Sequence, residues 1–376
     1  MIPYGRQFID EEDIKAVVEV LRSDFITQGP KVKEFEQRLA DYCGAKYAVV
    51  FNSGTSALIS AYMSVGLSEG DEFITSPLTF VATANAGLHL RAKPVFCDVE
   101  PDTGNMDPDR IEELISNRTK LIVPVHYAGH PADMERIKKL ADKYKLKIVE
   151  DACHALGAEY KGSKIGSCEY SDATVFSFHP VKHITTGEGG AVLTNDEEIY
   201  RKLKLIRNHG ITKDPSDFVE PSEGDWYYEM QALGYNFRMT DIQASLGISQ
   251  LKKLPEFVRR RREIAQLYRD LLSSIDWIEL PVEKPYALNS YHLFPIRVKE
   301  KTMRKKLFDY LRSKGVGVQV HYIPVYWHPY YRKLGYKRGL CPVAEDFYSR
   351  EISLPMYPSL QSEDVKYVAE LIAQAK

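Results

Sequence analysis

Residues 175–195 read VFSFHPVKHITTGEGGAVLTN, and the fold turns on how this stretch is divided. The apolar run ATVFSFH leads into Lys182, a Gly-rich segment from Thr185 to Gly190 follows, and GAVLTN is a second apolar run. Two short strands with a lone amine between them is the division that fits. The amine has three readings: a phosphate-cradling lysine, a surface charge, or a group that bonds covalently to a carbonyl compound. The P-loop form of the first fails, because neither G-x-x-x-x-G-K-[ST] nor G-x-G-x-x-G occurs. Metal chemistry fails too, since His179 and His183 lack a partner cluster at ligand spacing.

Upstream, KYAVVFNS, DEFITSP, KPVFCDV, KLIVPVHY and LKIVEDA read as further strands. Helical patterns such as TSALISAYMSVGL, DPDRIEELISN and ADMERIKKLADKYK lie between them. Several strand runs are almost wholly apolar, as strands covered on both faces are. The alternation predicts a mostly parallel sheet wrapped by helices, an α/β class. After MTDIQASLGISQLKKLPEFVRRRREIAQLYRDLLSSI the texture changes. HLFPIRV and VGVQVHY read as strands around the helical TMRKKLFDYLRSKG, and SEDVKYVAELIAQAK closes the chain as a helix. A large domain over 1–250 and a smaller α+β domain over 251–376 are expected.

The 376 residues carry 50 basic and 52 acidic side chains, net charge −2, which supplies no field for nucleic acid or an anionic membrane. The one dense basic run, Arg259 to Arg262, lies in the helical EFVRRRREIAQLYRDLL and reads as a solvated helix face. Five cysteines without a C-x-x-C pair argue against a disulfide framework or zinc site. No apolar stretch reaches ~18 residues, and MIPYGRQFIDEED lacks a signal peptide's apolar core. A cytoplasmic protein is expected, and the sequon at Asn117 is incidental to it.

Open α/β sheets bind ligands beyond the carboxyl ends of their strands. FNSGTSAL (51–58) ends one strand and opens a helix; Gly54, Thr55 and Ser56 there either bind an anion or merely cap. Glu150-Asp151 ends another strand, as a functional carboxylate or as a cap. Ser177 and Lys182 end a third. A desolvated lysine is a competent nucleophile towards a carbonyl, and a strand-end carboxylate would hold a pyridine nitrogen protonated. Together these suit a phosphorylated aldehyde held as a Schiff base.

FNSGTSAL, TSPLTFVATANA, EDACHALG, FSFHPVKHITTGEGGAVLTN and GYNFRMTDIQASLG, in this order, resemble the DegT/DnrJ/EryC1/StrS family of sugar-nucleotide aminotransferases over nearly the whole chain. The resemblance implies the pyridoxal-phosphate (PLP)-dependent transferase fold of type I. That fold is a mostly parallel seven-stranded sheet in an α/β/α sandwich, with a smaller C-terminal α+β domain. It implies that Lys182 carries pyridoxal 5'-phosphate, Asp151 pairs with the ring nitrogen, His154 lies near the phenolic oxygen and Phe80 stacks on the ring. Gly54, Thr55 and Ser177 would hold the phosphate, joined by Asn236 from the partner of a homodimer with shared active sites. Tyr4, the loop Asp24, Phe25, Ile26 and Thr27, and His321 and Tyr322 correspond to segments lining the sugar cleft; Tyr326 either joins them or packs in the domain. Within the family, HPVKHITTGEGG followed by WYYEMQALGYNFRMTDIQASLG resembles enzymes that move an amino group from L-glutamate to C4 of a UDP-4-keto-6-deoxy-N-acetylhexosamine, in pseudaminic acid synthesis. Amination of a 4-keto-arabinose or perosamine-type sugar is the alternative. Sugar 3-dehydration is a further one, in which a histidine replaces the lysine; here that histidine falls one place later, at His183.

Overall fold

The computed structural model describes residues 1–375. Seven strands form its central sheet: β1 (Tyr47–Phe51), β2 (Glu72–Thr75), β3 (Lys93–Phe96), β4 (Thr119–Val123), β5 (Lys147–Asp151), β6 (Ala173–Ser177) and β7 (Gly190–Thr194). Their order is β1-β7-β6-β5-β4-β2-β3, and only β7 runs antiparallel to its neighbours. All seven strand runs seen in the sequence are present, because each is an apolar segment buried on both sheet faces.

Helices α1 (Glu11–Leu21), α2 (Pro30–Cys43), α3 (Gly54–Ser64), α4 (Ala82–His89), α5 (Met134–Tyr144) and α6 (Glu197–Arg207) accompany the sheet. One apolar core lies between α2, α5 and one sheet face, and another between α3, α6 and the opposite face. The segment 107–117 is not an α-helix but two 3-10 turns, Pro108–Arg110 and Glu112–Leu114. Only Pro108 and Ile111 are fully buried along them, too little apolar contact to offset helix nucleation.

Helix α7 (Asp241–Leu272) is 32 residues long and serves two cores. Ala244 to Val258 pack in the sheet core, and Ile264 to Leu272 pack in the C-terminal one. Residue 250 therefore falls inside a continuous helix, and the apolar contacts change hands about three turns later. The basic run also departs from expectation. Arg259 is exposed between Glu256 and Glu263, but Arg261 is 1% exposed and donates to the carbonyls of Tyr291 and Met356. Its guanidinium has no carboxylate partner among the described residues, and burial lowers its pKa to about 9.

The C-terminal sheet is β8 (Ile278–Glu279), β9 (Phe294–Val298) and β10 (Glu351–Leu354), covered by α8 (Lys301–Ser313) and α9 (Ser362–Gln374). VGVQVHY is not one of its strands. It runs along the outer edge of β10 and makes only single bridges, Val316 to Ile2 and Gln319 to Ser353. All five cysteines are free. Among the described residues no helix is long and apolar enough to cross a membrane, and no His, Cys, Asp or Glu group could hold a metal.

Candidate active site

A cavity of about 480 Å³ opens beyond the carboxyl ends of β1, β2, β5 and β6. Gly54 and Thr55, Phe80, Asp151 and His154, and Ser177 and Lys182 line it from those ends, with Tyr4, His321 and Tyr322 closing it from elsewhere in the chain.

The turn after β1 is built for close approach. Ser53 caps α3, its Oγ accepting the Ser56 N–H at 3.1 Å, while Ser56 Oγ returns a bond to the Ser53 N–H. The cap reading of this segment is therefore right for Ser53 and Ser56, yet it leaves the first N–H groups of the helix facing outwards. A Cβ on Gly190 would lie 2.6 Å from the Ser53 carbonyl oxygen, so β7 can pass beneath this turn only with glycine there.

Adjacent carboxylates at the end of β5 part ways, as strand alternation requires. Glu150 turns from the cavity to His126 Nε2 at 2.7 Å and Thr174 Oγ1 at 2.9 Å. The Ala132 N–H donates to His126 Nδ1, which assigns that ring's proton to Nε2. Asp151 turns towards the cavity. Its Oδ2 accepts the Thr83 hydroxyl at 2.6 Å and its Oδ1 accepts the Cys153 N–H at 3.2 Å. No helix follows Asp151, so its carboxylate is not a helix cap.

Lys182 is half-buried and lines the cavity; its Nζ makes no hydrogen bond or salt bridge among the described residues. Burial lowers its pKa, opposed by the nearby Cys153 and Asp151. His183 is buried away from the cavity, with Nε2 3.1 Å from the Ser290 carbonyl. His154 Nε2 and the Tyr322 hydroxyl are hydrogen-bonded at 2.9 Å, and the His154 ring lies 4.3 Å from that of His292. Burial, together with the Lys182 charge, holds His154 well below its usual pKa.

Two groups of expected residues lie elsewhere. Asp24, Phe25, Ile26 and Thr27 are exposed and do not line the cavity of their own chain. Their loop docks on the start of α7, where Asp241 accepts the Gly29 N–H and its own N–H donates to the Ile26 carbonyl. Asn236 is likewise exposed, bridged to Asn208, with its carbonyl 3.4 Å from Asn52 Nδ2. Tyr326 is packed in the core, its hydroxyl donating to Glu345 at 2.7 Å, so it takes the packing role. Thr83 and Glu188 line the cavity without having been singled out in the sequence. Thr83 lies within TSPLTFVATANA, one helical turn beyond Thr79, but a threonine in a helix carries no signal that it meets a distant carboxylate.

The model of the DegT/DnrJ/EryC1/StrS aminotransferase family matches residues 7–373. The chain belongs to this family. Among DegT/DnrJ/EryC1/StrS relatives, a Campylobacter jejuni protein named UDP-4-amino-4,6-dideoxy-N-acetyl-beta-L-altrosamine transaminase is 41% identical over 377 residues, covering 99% of this chain and 96% of its own. The Bacillus subtilis spore coat polysaccharide biosynthesis protein SpsC is 42% identical over 376 residues, with 99% and 96% covered. Helicobacter pylori PseC, an aminotransferase involved in pseudoaminic acid biosynthesis, superposes with a TM-score of 0.92 at 41% identity, covering 100% of this chain and 98% of its own. The Streptococcus pneumoniae protein Spr1654 in its PLP-form superposes with a TM-score of 0.93 at 33% identity, covering 100% and 98%.

Proposed function

We propose that this chain is a PLP-dependent sugar-nucleotide aminotransferase that takes an amino group from L-glutamate and delivers it to C4 of a UDP-4-keto-6-deoxy-N-acetylhexosamine. The observation that carries the reading is the division of labour at 182–183. Lys182 meets the cavity with an unbonded amine, while His183 is committed to a backbone carbonyl behind it. That arrangement favours amino transfer over 3-dehydration, which uses a histidine in the lysine's place.

The residues fit pyridoxal phosphate. A Cβ on Gly54 would crowd Ser177 at 3.0 Å, so the glycine keeps open a cradle between the start of α3 and the end of β6. Helix N–H groups and the Ser177 hydroxyl are the donors a phosphate needs. Asp151 supplies a carboxylate in the same cavity, and about 480 Å³ is ample for the group. When bound, pyridoxal phosphate supplies an aldehyde that takes up an amine and a ring that withdraws electrons from the adjacent carbon.

Asp151, steadied by Thr83, holds a proton on the ring nitrogen. Lys182, its pKa lowered by burial, carries the amine that moves a proton between neighbouring atoms of the reacting group. His154 stays neutral and can exchange a hydrogen bond with an oxygen without adding charge. Tyr322, bonded to His154, keeps that ring oriented.

A homodimer belongs to the same reading. Val219, Trp226 and Leu233, in the segment leading to Asn236, and Phe25 and Ile26, in the loop docked on the start of α7, are large apolar side chains left exposed. A patch of that kind is covered in an assembled protein, and a second copy would bring Asn236 to the phosphate cradle. The similar identity to a spore coat polysaccharide protein keeps other 4-keto sugars in play as acceptors. Incubating the protein with L-glutamate and a panel of UDP- and dTDP-4-keto sugars tests the reading. A 4-amino sugar and 2-oxoglutarate are expected; a 3-deoxy sugar, or no amino sugar from any acceptor, would overturn it.

A further inference from the structure

Behind the cavity wall that carries His321 lies a buried hydrogen-bond chain that the amino transfer outlined above does not use. His321 lines the cavity, and its Nδ1 is 2.8 Å from Ser353 Oγ. Ser353 Oγ is in turn 2.5 Å from Glu351 Oε1, and Glu351 Oε2 accepts the His321 backbone N–H at 2.7 Å. Glu351 and Ser353, two apart on β10, share one face of the strand and are both fully buried. Backbone bonds in both directions between Gln319 and Ser353 hold the segment before His321 against that strand. With Nδ1 engaged, Nε2 is the ring nitrogen left for a ligand.

We propose that Ser353 and Glu351 are positioning residues that relay a proton between His321 Nε2 at the cavity and a buried carboxyl group, setting whether Nε2 meets the substrate as acceptor or as donor. With Glu351 ionised, Ser353 donates to Oε1 and accepts from Nδ1–H, so Nε2 carries a lone pair. When Nε2 takes a proton from the cavity, the Nδ1 proton passes to Ser353 Oγ and the Ser353 proton passes to Oε1. One proton has entered, the carboxylate is neutral, and the imidazole is again neutral with its hydrogen on Nε2. In both states each donor in the chain faces an acceptor. The backbone N–H on Oε2 is undisturbed, which leaves Oε1 as the oxygen that takes the proton.

The surroundings favour storing the proton on the carboxyl and not on the ring. Burial raises Glu351 to about 8, opposed by Ser353, the His321 N–H and the charges of Arg304 and Arg297. Arg297 is committed to Glu279, and Arg304 lies over the Tyr348 ring. Burial and the Lys182 charge lower His321 to about 3, and the Tyr127 hydroxyl holds the His321 carbonyl from the other side. From the cavity side, Tyr4, Tyr322 and His154 face His321. An amine and a ketone present opposite hydrogen-bonding characters to one residue, and this device would serve both; that use rests on the amino-transfer reading, whereas the relay itself does not.

The test uses the full chain labelled with [¹⁵N]histidine, with His321→Gln to assign the His321 signal. Ring ¹⁵N shifts should report a neutral imidazole that changes from the Nε2–H to the Nδ1–H tautomer as pH rises through about 8. Ser353→Ala and Glu351→Gln should each abolish the change while circular dichroism stays native. A His321 tautomer indifferent to pH in the parent protein, or the same transition in Ser353→Ala, would overturn the relay. A kcat/KM profile against pH should show a break near 8 that Ser353→Ala lacks. Should no keto sugar be aminated, the functional reading fails while the ¹⁵N result still decides the relay.

Discussion

A Cβ built on Gly54 would lie 3.0 Å from Ser177 Cβ and 3.1 Å from Ser177 Oγ. Two residues 123 positions apart, at the start of α3 and the end of β6, thus approach as closely as a missing side chain allows. Neither can yield easily, because Ser177 Cβ is tied to a buried strand. Gly54→Ala should leave the fold intact and narrow the cradle. Overpacking of this kind costs about 1–3 kcal/mol, roughly a 5- to 150-fold loss in affinity for pyridoxal phosphate. A fluorescence titration giving the parent Kd would refute the cradle.

Lys182 is the one lysine lining the cavity among the described residues. Borohydride reduction of the loaded protein should leave the cofactor mass on the peptide containing Lys182, and Lys182→Ala should carry no such adduct. Its amino-sugar output should fall to background. A productive Lys182→Ala enzyme would return Lys182 to the status of a cavity-wall charge.

Asp151→Asn removes the charge but keeps the shape, so the Thr83 hydroxyl still has an oxygen to meet. A loss in kcat of about 100-fold or more is expected, with an unchanged Tm. Thr83→Val removes the 2.6 Å donor alone and should cost about 0.5–1.5 kcal/mol, roughly a 2- to 10-fold loss. Should Asp151→Asn lower Tm and spare kcat, the carboxylate is a structural element of the β5 turn.

Glu351 makes stability depend on pH. Its folded-state pKa of about 8 exceeds the ordinary 4.5, so the folded chain holds a proton that the unfolded chain has released. That contribution is whole below pH 4.5, shrinks as pH rises, and is gone above about 8. Urea midpoints of the parent relative to Glu351→Gln should therefore fall between pH 5 and pH 8.5. A constant difference would mean that Glu351 ionises no differently when folded.

Asn236→Ala and Lys182→Ala chains, each inactive alone, should regain activity when mixed, if Asn236 acts across a dimer. One intact site in each mixed pair would restore up to about a quarter of the parent's activity by statistical pairing. No gain over either variant alone would confine each site to one chain.

The seven strands were legible in the sequence because each is a short apolar run between turn residues, and apolar content reports burial directly. That Lys182, Asp151 and Gly54 line the cavity was legible for a related reason: they stand at or just beyond strand ends, where an α/β sheet leaves its ligand side open. Where segments pair and pack was not legible in the same way. VGVQVHY has a strand's composition but makes only isolated bridges, to Ile2 and to the outer edge of β10, and DPDRIEELISN has a helix's composition with too little to pack against. Arg261 reads as one of four equal arginines, yet α7 turns it alone into the interior. The distant meetings belong to tertiary structure altogether: Thr83 with Asp151, Gly54 with Ser177, and His321 with Ser353 and Glu351. Periodicity along the chain records which face of an element is buried. It carries no information about which residue of another element waits on that face, and that is settled only when the layers close.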